Sequence, residues 1–275
     1  MPVDANTLAL ERPRSLNEAL TMLAGEPRLV PLAGCTDVYV GLHFGTMADQ
    51  RFIDLWPLKE LRGISVERDV LHIGALTTYT EIIQSEIVQK RLPMLVAAAR
   101  EVGGAQIQNR GTLGGNVANA SPAGDTLPVL AAANARIVLR SDKATRHVTF
   151  DSYYTGYRKS VRQPGELIAG IEIPRIDGTQ WWRKVGTRRA QAISKVMIAA
   201  VRGRSVRIAF GSVGPTVVLA THAAAVLAGG GSIADAKAAL ASDIAPIDDL
   251  RSTGEYRAAV AANLLEHFWT STRSM

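Results

Sequence analysis

The stretch from Gly103 to Pro128 constrains this chain more than any other segment. It reads GGAQIQNRGTLGGNVANASPAGDTLP, with six glycines, many Asn, Ser and Thr residues and a single acid, Asp125. Glycine permits positive φ and close approach of the backbone to a ligand, and bare amide N–H groups form concave anion sites. The stretch therefore predicts an anion-binding loop. The same residue types also build ordinary turns, so composition alone leaves open a loop without a ligand.

The residues after this loop add to the prediction. Ser121, Pro122 and Asp125 precede the apolar run LPVLAAANA, which predicts a helix whose N-terminus and dipole face the loop. Asp125 then has two possible roles, as the N-cap of that helix or as a ligand to the ribose of a bound nucleotide. The Walker motif and the GxGxxG fingerprint are both absent, because GTLGGN follows polar QIQNR and no lysine follows its last glycine.

A second glycine-bearing turn lies upstream in LVPLAGCTDVYV. A short apolar strand ending at Ala33 runs into Gly34, Cys35, Thr36 and Asp37. Such punctuation also occurs between two ordinary strands, so on its own it is weak evidence. Together, the two loops are able to clamp one long diphosphate between them.

Length and composition set the protein class. A chain of 275 residues that is 47% hydrophobic predicts a globular protein of two domains. No apolar run approaches the roughly 20 residues of a membrane span, and MPVDANTLALERPRSLNEAL lacks a basic segment followed by an apolar core. We therefore expect a cytoplasmic location.

Cysteine, histidine and charge exclude several site types. One cysteine rules out an internal disulfide and an all-cysteine iron–sulfur cluster, so any such cluster belongs to another chain. Five scattered histidines lack the spacing of metal ligands. The net charge of +6 is spread along the chain and aromatics are only 5%, which argues against nucleic-acid binding and favours a solvated surface or a face for an acidic partner.

Local patterns predict an α+β chain without internal repeats. In the first half we expect a helix at 15–24 with a Ser15–Glu18 capping box, and a helix from Thr77 or Thr78 through Ile87. The remaining elements predicted there are strands within 29–40, at 51–55 and at 71–75, a helix at 92–102, a hairpin of 135–141 with 146–150, and a strand at 167–174.

The domain boundary is predicted between Pro174 and Gln180, where IPRIDGTQ lacks periodicity. Beyond it, VMIAAV is compatible with a helix or with a buried strand. VRIAFGSVG alternates like a strand, and an alanine-rich helix pair is expected over 220–241. A Ser252–Glu255 capping box predicts the start of a final helix.

Five ordered segments resemble one family. They are LAGCTDV at 32–38, QIQNRGTLGGNVANASPAGDTLP at 106–128, YRKSVRQPGELIAGIEIP at 157–174, KVGTRRAQAISKV at 184–196 and APIDDLRSTGEYR at 245–257. Over nearly the whole chain, their order resembles the FAD-binding medium subunit of the xanthine dehydrogenase and carbon monoxide dehydrogenase family of molybdenum hydroxylases. The resemblance implies a two-part FAD-binding domain (PCMH/VAO-like) at 1–176, with subdomains of about 1–57 and 58–176. A smaller α/β domain of the CO dehydrogenase flavoprotein type follows at 177–275.

The resemblance also implies a set of cofactor-binding residues. Asp125 matches an acid that bonds the adenosine ribose, and Leu167 and Ile168 match apolar residues beside the flavin. Lys184 matches a lysine at the pyrimidine end, where a cation stabilises the negative charge of the reduced ring. The matching diphosphate positions are Leu32, Ala33, Gly34, Cys35, Thr36, Asp37, Thr112, Gly114, Gly115, Asn116 and Ser121. From the sequence alone, Lys184 is also compatible with a surface lysine lying over Trp181 and Trp182.

Cys35 departs from the family, in which many members carry glycine at this position. Positive φ at Cys35 would strain the turn by about 1 kcal/mol. A low-pKa thiol beside an amide nest is conceivable. We expect no catalysis by Cys35, since no histidine is near it in sequence and the family uses none.

In function, the resemblance implies an oxidoreductase subunit of a hetero-oligomer. Its FAD would pass electrons from the 2Fe-2S clusters of a partner iron–sulfur subunit to an external acceptor such as NAD, oxygen or a quinone. A large molybdopterin subunit would select the substrate. A free-standing flavin oxidoreductase and an FAD-free scaffold subunit are the alternatives, and intact TLGGN, Ser121 and Asp125 argue against the scaffold.

Overall fold

A computed structural model describes residues 8–26, 28–47 and 51–273, and it confirms the α+β class. The part of the N-terminal sequence that precedes residue 8 lies outside the described residues. The strands are β1 Ala9–Glu11, β2 Val30–Leu32, β3 Arg51–Asp54, β4 Ile64–Glu67, β5 Val70–Gly74, β6 Arg136–Arg140, β7 Thr145–Thr149, β8 Tyr154–Gly156, β9 Lys159–Ser160, β10 Leu167–Ile173, β11 Gly178–Gly186, β12 Ser194–Gly203, β13 Val206–Gly211 and β14 Val218–Leu219. The helices are α1 Leu16–Gly25, α2 Val38–His43, α3 Tyr79–Gln84, α4 Glu86–Arg91, α5 Pro93–Arg100, α6 Ala105–Gln108, α7 Leu113–Asn119, α8 Leu127–Ala132, α9 Thr221–Ala228, α10 Ile233–Asp243 and α11 Gly254–Ser271.

The first sheet is parallel, with strand order β1-β3-β2. It confirms the predicted strand at 51–55, but the strand within 29–40 ends at Leu32 and residues Val38–His43 form helix α2 instead. The reason is the partner strand. β3 ends at Asp54 and the last ladder bond runs from Leu55 N to Leu32 O, so among the described residues no partner strand continues past the turn.

The second sheet is antiparallel, with order β4-β5-β10-β6-β7, and it confirms the predicted hairpin and the strand at 167–174. Alternate residues such as Ile73, Ile137 and Ile171 point into one core with α5, α7 and α8. Gly114 of α7 packs against Ala75, the residue that follows β5. A Cβ added at Gly114 would lie only 2.6 Å from Ala75 Cβ, so only glycine allows this approach. This packing fixes the glycine-rich stretch against the sheet.

Helix starts largely follow the predicted caps. Thr78 forms a full capping box with Glu81 at the start of α3, but the predicted continuation to Ile87 is interrupted at Ser85, whose side chain caps α4 by accepting from Val88 N. Ser15 caps α1 as expected. The carboxylate of Glu18, however, accepts from Arg14 N at 2.7 Å rather than from the cap residue, so the predicted box is only half formed.

The final helix starts one residue later than predicted. Thr253 caps α11 by accepting from Tyr256 N, and the Ser252–Glu255 box is therefore wrong. The Ser252 amide donates to the carbonyl and carboxylate of Asp249, so it is not free to donate to the Glu255 carboxylate as a capping box requires. The prediction of a helix in this segment was nevertheless correct.

The third sheet, β11-β12-β13-β14, resolves the ambiguous segment in favour of a buried strand. Residues 196–201 lie in β12, where Val196 and Ile198 face a core shared with α9, α10 and α11, while Ala199 faces the first-half core. The predicted alanine-rich helix pair is present as α9 and α10. Among the described residues, no helix combines the length and apolar character of a membrane span.

Candidate functional site

The two loops predicted from the sequence are in contact. An added Cβ at Gly34 would lie 1.6 Å from the carbonyl oxygen of Arg110, and one at Gly115 would lie 3.9 Å from Ala33 Cβ. Only glycine fits at position 34, because any side chain would collide with main chain. The turn after β2 and the segment before α7 therefore form one continuous surface at the carboxyl edge of the parallel sheet, where open parallel sheets bind ligands.

The turn itself exposes a run of backbone donors. In the part of the chain that the structure describes, the amides of residues 34–38 make no hydrogen bond within the protein, whereas the next amide, Tyr39 N, donates to Cys35 O. Cys35 adopts φ 62°, the conformation in which strain was expected. Unpaired consecutive amides around a left-handed residue form the kind of nest that binds phosphate oxygens.

The TLGGN segment is built differently from the predicted loop. It is the first turn of α7, and its four amides after Thr112 are already used: Leu113 N donates to Thr77 O, Gly114 N to Ala75 O, Gly115 N to Thr112 Oγ1 and Asn116 N to Thr112 O. Of the two predicted loops, the 34–38 turn is thus the one that leaves a run of consecutive amides without partners among the described residues. Thr112 accepts one bond as the N-cap of α7, which leaves its hydroxyl proton able to donate.

Two further predicted residues hold the glycine-rich stretch in shape. Asn116 Oδ1 accepts from Thr126 Oγ1 at 2.7 Å and so ties α7 to the start of α8. Ser121 Oγ accepts from Ala123 N at 3.3 Å within the connecting turn. Both side chains thus have structural partners in the protein, while the Ser121 hydroxyl keeps a proton to donate.

Asp125 is not a helix cap. Helix α8 begins at Leu127 with Thr126 as its N-cap residue, and the Asp125 carboxylate instead contacts Lys184 Nζ at 2.7 Å and Ser194 Oγ at 2.5 Å. The side chains of Lys184 and Asp125 are 6% and 10% exposed. Lys184 also donates to Glu101 O at 3.3 Å, so the alternative of a surface lysine over Trp181 and Trp182 is wrong.

Burial dominates the electrostatics of this ion pair. Burial raises the pKa of Asp125, while the Lys184 charge and the hydrogen bonds from Lys184 and Ser194 act in the opposite direction. At Cys35, burial raises the pKa of the thiol more than the Arg110 charge lowers it. This direction contradicts the conceivable low-pKa thiol at Cys35. A thiol whose pKa is raised stays protonated at neutral pH and is therefore a weak nucleophile.

A chain of polar contacts connects the ion pair with the C-terminal helix. Ser212 Oγ donates to Ser194 O, and Arg257 Nη1 donates to Ser212 O at 2.8 Å. Arg257 is 5% exposed and pairs with Asp249 at 2.7 Å. Sequence reasoning missed Ser194 and Arg257 as site-related residues, although both lie in segments that carry the family resemblance.

Leu167 and Ile168 begin strand β10 and are 3% and 7% exposed. They face different cores, Leu167 toward the first subdomain and Ile168 toward the antiparallel sheet. The register of β10 against β6 then shifts at Ala169, which leaves that residue unpaired in the ladder and partly exposed. Leu167 and Ile168 are therefore packed residues on opposite sides of β10, next to the more exposed Ala169.

Comparisons with known proteins agree with this architecture. A sequence model described as the FAD binding domain in molybdopterin dehydrogenase matches residues 6–176, and one for the CO dehydrogenase flavoprotein C-terminal domain matches residues 181–272. The chain belongs to this family of FAD-binding medium subunits of molybdenum hydroxylases, and it is an oxidoreductase component.

Individual relatives resemble the chain over most of its length. The carbon monoxide dehydrogenase medium chain of Hydrogenophaga pseudoflava is 31% identical over 268 residues, which cover 92% of this chain and 93% of that protein. The xanthine dehydrogenase FAD-binding subunit of Escherichia coli O157:H7 is 32% identical over 224 residues, covering 77% and 76%. A structure of carbon monoxide dehydrogenase from H. pseudoflava, lacking the Mo-pyranopterin moiety of its molybdenum cofactor, superposes with a TM-score of 0.88 at 29% identity, covering 94% of this chain and 95% of that one.

The residues present fit an FAD cofactor. The unpaired amides of the 34–38 turn suit a diphosphate, and the Gly34 contact with Arg110 shows why the turn is free of side-chain bulk at its inner edge. A buried lysine suits a flavin ring that gains negative charge on reduction. Among the described residues, no group of three or more His, Cys, Asp or Glu side chains is arranged so that it could hold a metal ion.

Proposed function

We propose that this chain is the flavin-bearing electron outlet of a molybdenum hydroxylase. Electrons would arrive from 2Fe-2S clusters on a partner iron–sulfur subunit and leave through FAD to NAD, oxygen or a quinone. A large molybdopterin subunit would carry the substrate chemistry. The observation that carries the proposal is that one chain of this family combines a turn of backbone amides without protein partners in the described structure with a buried ion pair.

The diphosphate of FAD would lie on the turn formed by residues 32–37. Its oxygens would accept from the amides that the protein leaves unpaired, and the Thr36 and Thr112 hydroxyls would add side-chain donors. Gly114 and Gly115 contribute by letting α7 approach β5 and the turn, while Asn116 and Ser121 keep the following segment in place. This assignment keeps every predicted diphosphate residue but divides them into ligands and supports.

Asp125 and Lys184 require one adjustment. The resemblance gives Asp125 to the adenosine ribose and Lys184 to the flavin pyrimidine, but these groups lie at opposite ends of FAD with the diphosphate between them. Because Lys184 Nζ and Asp125 Oδ2 are 2.7 Å apart, both side chains would serve one end of the cofactor. We assign that end to the flavin, since two residues of the C-terminal sheet, Lys184 and Ser194, meet Asp125 there.

Bound FAD supplies the change from one-electron to two-electron chemistry. The chain's residues would hold and tune it. The Lys184 side chain lies in a site that is nearly closed to water, where electrostatic interactions with a bound ring are stronger than in solvent. Asp125 and the Glu101 carbonyl hold the ammonium in a fixed position. Because Leu167 and Ile168 point to opposite sides of β10, one of the two side chains would border the ring and the other would support the strand.

Names of relatives support the assembly part of the proposal. Matched proteins are called a medium chain or an FAD-binding subunit, and the first matching domain is named for molybdopterin dehydrogenases. A cytoplasmic location and the domain division at residue 176 belong to the same proposal. The matched ranges, 6–176 and 181–272, are compatible with that division.

Purification from the native host tests the function. We expect a yellow complex that contains FAD, an iron–sulfur subunit and a molybdopterin subunit. Recovery of a yellow chain without those partners would favour the free-standing oxidoreductase. A colourless chain that stays colourless after FAD addition would favour the scaffold and would contradict the cofactor assignment.

A further inference from the structure

Trp56, just after β3, contacts two guanidinium groups. The guanidinium carbon of Arg62 is 4.3 Å from the centre of the Trp56 ring system, and that of Arg110 is 3.8 Å from it. Contacts at these distances are attractive because the ring faces carry negative electrostatic potential. The stack fixes two long side chains that would otherwise be free at the edge of the parallel sheet.

The two arginines differ in what else they bind. Arg62 donates to the carbonyl oxygens of Leu76 and Trp56 at 3.1 and 3.0 Å, so it serves the fold. Within the described ranges, 8–26, 28–47 and 51–273, the Arg110 side chain makes no hydrogen bond or ion pair. The contact with Trp56 therefore holds a guanidinium whose five N–H donors have no protein acceptor among the described residues.

Arg110 also borders the amide turn. Its carbonyl contacts Gly34, and its charge acts on the Cys35 thiol, which places the guanidinium within electrostatic range of the unpaired amides of residues 34–38. The charge of Asp54 also acts on the Cys35 thiol, and one oxygen of that carboxylate is occupied by Trp56 N at 2.9 Å. Amides on one side and a guanidinium on the other are the donor set that phosphate groups prefer.

We propose that Arg110, held by Trp56, is an additional diphosphate-binding residue of this flavoprotein. The inference rests on the proposed placement of FAD and deepens it. Arg110 would bind diphosphate oxygens by charge-assisted hydrogen bonds, and Trp56 would act as the positioning residue that lowers the entropy lost when the long side chain is fixed. Sequence reasoning included Arg110 only as a letter of QIQNRGTLGGN and assigned it no role.

The test is FAD binding to the full apo chain, measured by quenching of flavin fluorescence. Arg110→Gln is expected to weaken FAD about tenfold at low salt, to weaken competition by ADP by a similar factor, and to reduce the salt dependence of FAD binding. Arg110→Lys should recover part of the loss. Trp56→Leu, which keeps the charge but removes its support, should fall between wild type and Arg110→Gln.

Arg204→Gln is the matched control, because it removes one positive charge from a side chain that is 95% exposed in the C-terminal half. It should leave FAD binding unchanged. An unchanged FAD affinity in Arg110→Gln would overturn the inference, as would a loss that ADP does not share and that salt does not alter. Failure of the wild-type chain to bind FAD would instead overturn the proposed function.

Discussion

The 34–38 turn and the Asp125–Lys184 pair, which we propose to bind two parts of one cofactor, differ in whether their polar groups already have partners in the protein. The turn leaves its amide donors unpaired in the described structure and holds Cys35 at φ 62° to do so. The ion pair is nearly closed to water, and both partners are bonded within the protein. The turn is therefore incomplete without an anion, whereas the pair is complete without a ligand.

This difference predicts which of the two regions should determine cofactor affinity and which should determine the redox properties of the bound flavin. Unpaired donors gain their bonds only when a ligand arrives, so the turn should contribute mainly to cofactor binding. A preformed buried charge changes little on binding but acts strongly on a nearby ring, so the pair should contribute mainly to redox properties. The pair should also matter for the fold, because it joins α8 to the C-terminal sheet.

The largest effect should follow from breaking the pair. Lys184→Met leaves a buried carboxylate without its cation, and we expect the free energy of unfolding to fall by about 3 to 5 kcal/mol, measured by chemical denaturation. The matched double variant, Asp125→Leu with Lys184→Met, should regain most of that stability but not the redox properties of bound flavin. A single variant as stable as wild type would contradict a buried pair.

A smaller effect should follow from filling the inner edge of the turn. Gly34→Ala places a methyl group into the Arg110 carbonyl, and we expect a loss of about 1 to 3 kcal/mol in stability together with weaker FAD binding. Gly25→Ala is the control, because no atom lies within 4 Å of the added Cβ. Equal behaviour of the two variants in thermal melts and FAD titration would show that the two loops are not in contact.

The smallest effect concerns Cys35. Cys35→Gly should remove the cost of a left-handed non-glycine residue and raise stability by about 0.5 to 1 kcal/mol, with FAD affinity retained. Asn134→Gly is a control at φ 52°, where asparagine already tolerates this conformation and a smaller gain is expected. Destabilisation by Cys35→Gly beyond that of the control would argue that the thiol has a structural role.

The sequence predicted most elements of this fold because their signals were local. Thr78 was one of the two predicted caps of the helix after β5 and does cap it, and apolar residues in short runs predicted the hairpin at 136–149. The failures came from long-range partners. Residues 38–40 alternate like a strand, but in the part of the chain that the structure describes no neighbouring strand pairs with them beyond Leu32. The segment VMIAAV is a strand because β11 and β13 flank it.

The candidate site shows the same division. The turn at Gly34 was predictable, since glycine and polar residues after an apolar strand carry their own signal. The role of Asp125 was not, because Lys184 and Ser194 are 59 and 69 residues away and only the fold brings them to its carboxylate. Nor did the sequence indicate that the TLGGN amides are occupied by Thr77 and Ala75.

A crystal structure of the chain with bound FAD tests the central claim most directly. The account predicts diphosphate oxygens within hydrogen-bond distance of the amides of residues 34–38, and the flavin pyrimidine, not the adenosine ribose, beside Lys184 and Asp125. A diphosphate held by the TLGGN amides, or an adenosine ribose bonded to Asp125, would contradict it.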